Sequence, residues 1–175
     1  APQVDGATAL HWASRWDDIE TAEILIRAGA NVKAVNREGM TPLALACING
    51  SAGMVKALLN GGADVNETLP NGETALMIAS RTGNLETVKT LLEKGAKVDT
   101  KEKLRETTAL MWAVAEGHSA IAQLLISNGA NVNATSRYYD PPKKRTERGE
   151  EYPASGALTA LTYAARQGEI ARAHV

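Results

Sequence analysis

Thr41-Pro42-Leu43-Ala44-Leu45-Ala46, followed by Gly50 and then by Gly62-Ala63-Asp64-Val65-Asn66, decides how this chain folds, because both phrases recur along it. A Thr-x-Leu-x-x-Ala phrase begins at Thr8, Thr41, Thr74, Thr108 and Thr159, in steps of 33, 33, 34 and 51. A Gly-Ala-x-Val phrase begins at Gly29, Gly62, Gly95 and Gly129, in steps of 33, 33 and 34. Two independent landmarks that keep one period are the signature of a repeat architecture.

Within a unit the residues spell two short helices. Each phrase threonine is an N-cap, its hydroxyl able to accept from an orphan N–H of the first turn. Pro42 takes the first helical position, where a missing donor costs nothing. Leu10 and Ala13, Leu43 and Ala46, Leu76 and Ala79, and Leu110 and Ala113 are spaced i, i+3, so each pair shares a face. Gly50, Gly83, Gly117 and Gly168 break the first helix, whereas the first unit carries Asp17 there. A second stripe follows (Ile19, Ala22, Leu25; Val55, Leu58, Leu59; Leu85, Val88, Leu91, Leu92; Ala122, Leu125, Ile126) and ends at the glycine of Gly-Ala-x-Val. Helices of about 10 residues do not persist alone in water, so neighbouring units must hold one another.

Thr41 to Ala46, the glycine between the helices, the leucine pairs and the closing Gly62 to Asn66 resemble the ankyrin repeat from about Val4 to Val175, and the wording is similar to that of bacterial ankyrin proteins. The resemblance implies an all-α solenoid of about five stacked helix–turn–helix units, near 4–35, 36–68, 69–101, 102–135 and 155–175, with an extended loop at 136–156 before the last. The histidine that the family carries after Thr-Pro-Leu survives only as His11; Ala44, Met77, Met111 and Thr162 replace it. If that histidine ties adjacent turns together, this stack depends more on packing.

Composition agrees. Hydrophobic residues make up 44% and charged residues 22% of 175, as in a globular chain. With no Phe and 4% aromatics, the core is aliphatic, which suits closely stacked helices. A net charge of −1 lacks the basic excess by which nucleic-acid binders neutralise phosphates, so no nucleic acid is expected as partner. Cys47 is the only cysteine, which excludes a disulfide framework, and no apolar run reaches the ~20 residues that would span a bilayer. Neither charge nor cysteine content points to a compartment.

The step from Asn133 to Thr159 is 26 where that from Asn66 to Thr74 is 8, so eighteen residues have entered the turn before the last unit. The inserted segment holds Tyr138, Tyr139 and Tyr152 together with Pro141, Pro142 and Pro153. It is either a solvated excursion, cheap because loop closure grows slowly with length, or a stiffened contact arm. Its five basic residues stand against four acidic ones (Asp140, Glu147, Glu150, Glu151), which argues against a phosphate patch. At the ends, the first unit has no turn ahead of Thr8 and the second helix of the last unit is cut to about one turn. A segment of a longer array is therefore expected, since terminal repeats need polar outer faces.

No chemistry stands out. His11, His118 and His174 fall in different units, no Gly-Lys dipeptide or G-x-S-x-G elbow occurs, and Cys47 reads as a small buried hydrophobe. Neither metal nor other cofactor is expected, and a protein partner is. The resemblance implies binding by turns and first helices along a concave face. Carried across, the turn residues are Arg37, Glu38, Met40, Asn71, Glu73, Leu104, Arg105 and Thr107, and the helix residues are Arg15, Trp16, Asn49, Arg81, Thr82 and Glu116. Tyr138, Tyr139 and Tyr152 join them if the insertion is an arm. Arg15, Arg37, Arg81 and Arg105 recur in successive units and would suit acidic groups, unless that face is merely solvated. Trp12 and Trp112, equivalent to Leu45 and Ile78, read as half-buried packing, and Trp16 as an exposed anchor. Four layers ~9 Å apart give a groove on the order of 35–40 Å long. The alternative reading is a structural subunit packed permanently in a larger assembly.

Overall fold

A computed structural model describes residues 5–137 and 159–161. Among them are eight α-helices in four hairpins: α1 (Ala9–Arg15) with α2 (Ile19–Arg27), α3 (Pro42–Asn49) with α4 (Ala52–Asn60), α5 (Ala75–Thr82) with α6 (Leu85–Glu93), and α7 (Ala109–Ala115) with α8 (Ser119–Ser127). The odd helices stack on one another as one layer and the even helices as a second. Among the described residues there is no strand, only an isolated bridge between Thr68 and Thr74. The all-α solenoid is thus observed through four units; the fifth, except Thr159–Leu161, lies outside the described residues.

Local sequence sets the elements as the caps required. The hydroxyls of Thr41, Thr74 and Thr108 accept from the N–H of Ala44, Met77 and Met111. Thr8 differs, because its N–H donates to His11 Nδ1 at 3.1 Å and its hydroxyl lies 2.9 Å from the same nitrogen. The second helices start at Asp18, Ser51 and Asn84, whose side chains accept from Thr21, Met54 and Thr87. Leu10, Leu43, Leu76 and Leu110 on the first helices and Leu58, Leu91 and Leu125 on the second are fully buried. They form one continuous core that also includes Ala160 of the fifth unit. Burial of a leucine contributes about 1.5–3 kcal/mol, so a row of them, and not the propensity of seven- to nine-residue helices, holds the array.

Packing is not the whole of the cohesion, which corrects the expectation drawn from the lost histidines. His11 does tie two turns: Met40 C=O can only accept, so His11 Nε2 carries the hydrogen and donates across 3.1 Å. Elsewhere other groups bridge the units. Asn49 Nδ2 donates to the carbonyls of Ser14 and Arg15, Thr82 Oγ1 to that of Cys47, and His118 Nε2 to that of Arg81. The turn tips add a backbone ladder: Arg37 N–H donates to Asp5 C=O, Lys103 to Asn71 and Arg137 to Arg105. The equivalent rung between the second and third units is missing because Pro70, which has no N–H, stands there.

Two positions depart from the glycine rule. Asp17, in the inter-helix slot that is Gly50, Gly83 and Gly117 elsewhere, has φ +56°. Glu106, in the turn slot that is Gly6, Gly39 and Gly72 elsewhere, has φ +54°. Both are left-handed conformations that a side chain makes costly.

Candidate partner-binding surface

The turns and the first helices form one surface, built on two rows. In the turn row Arg37, Glu38, Asn71, Leu104 and Arg105 are exposed, whereas Met40 is half-buried. In the helix row Arg15, Trp16, Asn49, Thr82 and Glu116 are exposed and Arg81 is half-buried. The four arginines do not make a straight ladder, because Arg37 and Arg105 belong to the turns and Arg15 and Arg81 to the helix ends. Tyr138, Tyr139 and Tyr152 lie outside the described residues.

Four of the expected residues spend their polar groups inside the array. Thr107 is buried, and its hydroxyl is committed in a donation to Glu102 Oε1. Asn49 and Thr82 bond the preceding helix, as above. Glu73 is half-buried and accepts from Arg81 Nη1 at 3.2 Å. Arg81 in turn lies over the Trp112 ring, 5.1 Å from its centre. Trp112 is thus half-buried, as its equivalence to Leu45 and Ile78 implied, whereas Trp12 is exposed.

Trp16 stands 71% exposed, in the register of Asn49 and Thr82, whose side chains reach back to the preceding unit. It therefore belongs to the leading face of the stack as well as to the groove edge. An open hollow of about 440 Å³ there is lined by Ala7, Ala9, Trp12, Ala13, Trp16, Asp18 and Thr21. Met54, Thr87 and Ile121, the counterparts of Thr21, are all buried under a preceding unit, and Ile24 is 53% exposed where Ala57, Thr90 and Leu124 are half-covered.

The residues that shape the fourth turn were not singled out in the sequence. Asn36 pairs with Met40 and Leu69 with Glu73 across five residues, but Glu102 pairs with Thr107 across six. This extra residue is the source of the 34-residue step, visible in both landmarks, and it pushes Leu104 out to 73% exposure. Glu102 fixes the enlarged turn: its carboxylate accepts from the N–H of Leu104, Arg105 and Thr107 and from the Thr107 hydroxyl. Burial alone would raise its pKa, but these donors outweigh it and hold the carboxyl below the ordinary glutamate value. At the root of the insertion, Arg137 donates through two nitrogens to Glu106 Oε1, and Lys101 lies 3.6 Å from the other oxygen.

Among the described residues no group of three His, Cys, Asp or Glu side chains is placed to hold a metal ion. Cys47 is buried, and desolvation, with a smaller push from Glu67, drives its thiol far above the ordinary range. No described helix is long and apolar enough to cross a membrane.

This geometry defines a class: proteins built of stacked helical hairpins. Comparison with known proteins narrows it. The family model described as ankyrin repeats (3 copies) matches residues 1–69 and 51–136. The chain belongs to the ankyrin repeat family, whose members are generally non-enzymatic modules for binding other proteins. Among curated proteins it is 42% identical over 57 residues to Palmitoyltransferase AKR1 of Candida albicans, covering 33% of this chain and 7% of that protein. It is 41% identical over 54 residues to Rabankyrin-5 of Mus musculus, covering 31% of this chain and 5% of that protein. The chain thus spans under a tenth of the length of these relatives.

Proposed function

We propose that this chain is a non-enzymatic module that holds a protein partner on its turn and first-helix face, with the tyrosine- and proline-containing insertion as an auxiliary arm. The observation that carries the reading is the placement of large apolar side chains in water on that face: Leu104 at 73% and Ile48 at 45% exposure. Both flank charged or polar neighbours, which is the composition of an anchor within a polar rim. The backbone ladder at the turn tips supports it too, because a surface fixed before binding loses less entropy on docking. A photo-cross-linking residue at Ile48 or Leu104 is expected to capture the partner, whereas one at Lys56 or Lys89 on the second helices is not. Capture from the second helices alone would dismiss the reading.

A second reading has its own observation. The leading face presents Thr21 in the register of Met54, Thr87 and Ile121, which the later units bury. That supports permanent packing in an assembly. In that assembly Trp12 and Trp16 would then be shielded from iodide quenching, while in the chain alone they are open. Equal quenching in both would remove it.

A further inference from the structure

Arg81 is the one arginine of the recurring four whose guanidinium is held in place, by Glu73 at one nitrogen and by the Trp112 face. Only Nη1 is committed in a hydrogen bond to a described residue, and the side chain is 37% exposed. An arginine has five N–H donors in one plane, so stacking on a ring leaves its edge free to receive a planar acceptor. Beside the same ring lies a small hollow of about 40 Å³, lined by Arg105, Thr107, Met111, Trp112 and Ala115. Arg105 makes no ion pair with any described residue. The Trp112 indole N–H is buried and has no hydrogen-bond partner among the described residues.

Two arginines, Arg81 and Arg105, stand near one tryptophan; Glu73 pairs with the first, while the Glu102 carboxylate is taken up by the turn N–H groups and the Thr107 hydroxyl and makes no ion pair with Arg105. We propose that this seat takes the carboxylate of an aspartate or glutamate side chain from the protein partner, received by Arg81 and Arg105 over Trp112. The hollow matches a group of a few heavy atoms, and a carboxylate would give Arg105 the ion-pair partner that it does not find among the described residues. The fixed guanidinium gives direction, since a planar fork pairs best with a planar carboxylate. This proposal rests on the concave-face reading and deepens it by naming the chemistry that the partner must present.

The test uses acetyl-tetraglutamate amide as probe, acetyl-tetraglutamine amide as its neutral control, and the Trp112 indole signal, assigned with Trp112→Phe, in ¹⁵N–¹H spectra. The glutamate peptide is expected to move that signal and the glutamine peptide to leave it. Arg81→Gln, Arg81→Lys and Arg105→Gln are each expected to weaken the response about tenfold. Arg105 is exposed, so its variant keeps the test open even if Arg81→Gln fails to fold. A still Trp112 signal, a response unchanged in Arg105→Gln, or a response to a phosphoserine tetrapeptide but not to glutamate would overturn the proposal. Cross-linking at Ile48, which does not involve the seat, separates this failure from failure of the concave-face reading.

Discussion

Glu102 and Glu67 show how single carboxylates are used in opposite senses. Glu102 is held below its ordinary value of 4.5, so its contribution is present above that pH and is lost as pH falls through the folded-state value. Glu102→Gln is expected to lower the thermal midpoint at neutral pH and to flatten the acid limb of a midpoint-against-pH profile. Glu67 is raised, chiefly by burial and against the Thr41 hydroxyl that donates to it. Its contribution is then fully present below 4.5 and is lost as pH rises through the folded-state value, so Glu67→Gln is expected to stabilise at neutral pH and not in acid. Asp17→Gly, which removes a side chain from φ +56°, is expected to raise stability by about 1 kcal/mol in urea unfolding. Asp17 could be read in advance, since its counterparts are all glycine. Glu102 could not, because its role appears only when six residues rather than five are seen to close the turn.

Helices and turns differ in how openly the sequence declares them. The first helices follow from Thr, Leu and Ala at fixed offsets, and the second from the leucine stripe ended by glycine, because capping and periodicity are local. Bridges between units are not local: Asn49 to Ser14 and His118 to Arg81 join residues more than thirty apart, and nothing in either stretch announces them. The lost histidines suggested a stack without such ties, and unrelated polar residues have taken over. Because the inner helices α3 to α6 are braced on both sides, damage should spread. Leu76→Ala in α5, at 1% exposure, is expected to cost about 2–5 kcal/mol and to unfold cooperatively, by circular dichroism in urea. A peptide of residues 36–68 alone is expected to lack helix, since its two helices are of eight and nine residues.

At the scale of the molecule, the array is a frame with two sides. The second helices carry exposed charge, Lys56, Glu86 and Glu93 among it, while the turns and first helices carry Leu104, Ile48, Trp12 and Trp16 in water and Arg81 over Trp112. The sequence revealed the frame because the frame repeats. It revealed the surface less well, since Thr107, Asn49 and Trp16 occupy surface registers of the family pattern, yet one is buried, one is turned back onto its neighbour and one faces the leading end. The central claim is that recognition belongs to the turn and first-helix side. Amide hydrogen exchange, compared between the free chain and its partner complex, tests it most directly. New protection is predicted within 36–49, 69–82 and 102–116; protection confined to 52–60, 85–93 and 119–127 would contradict it.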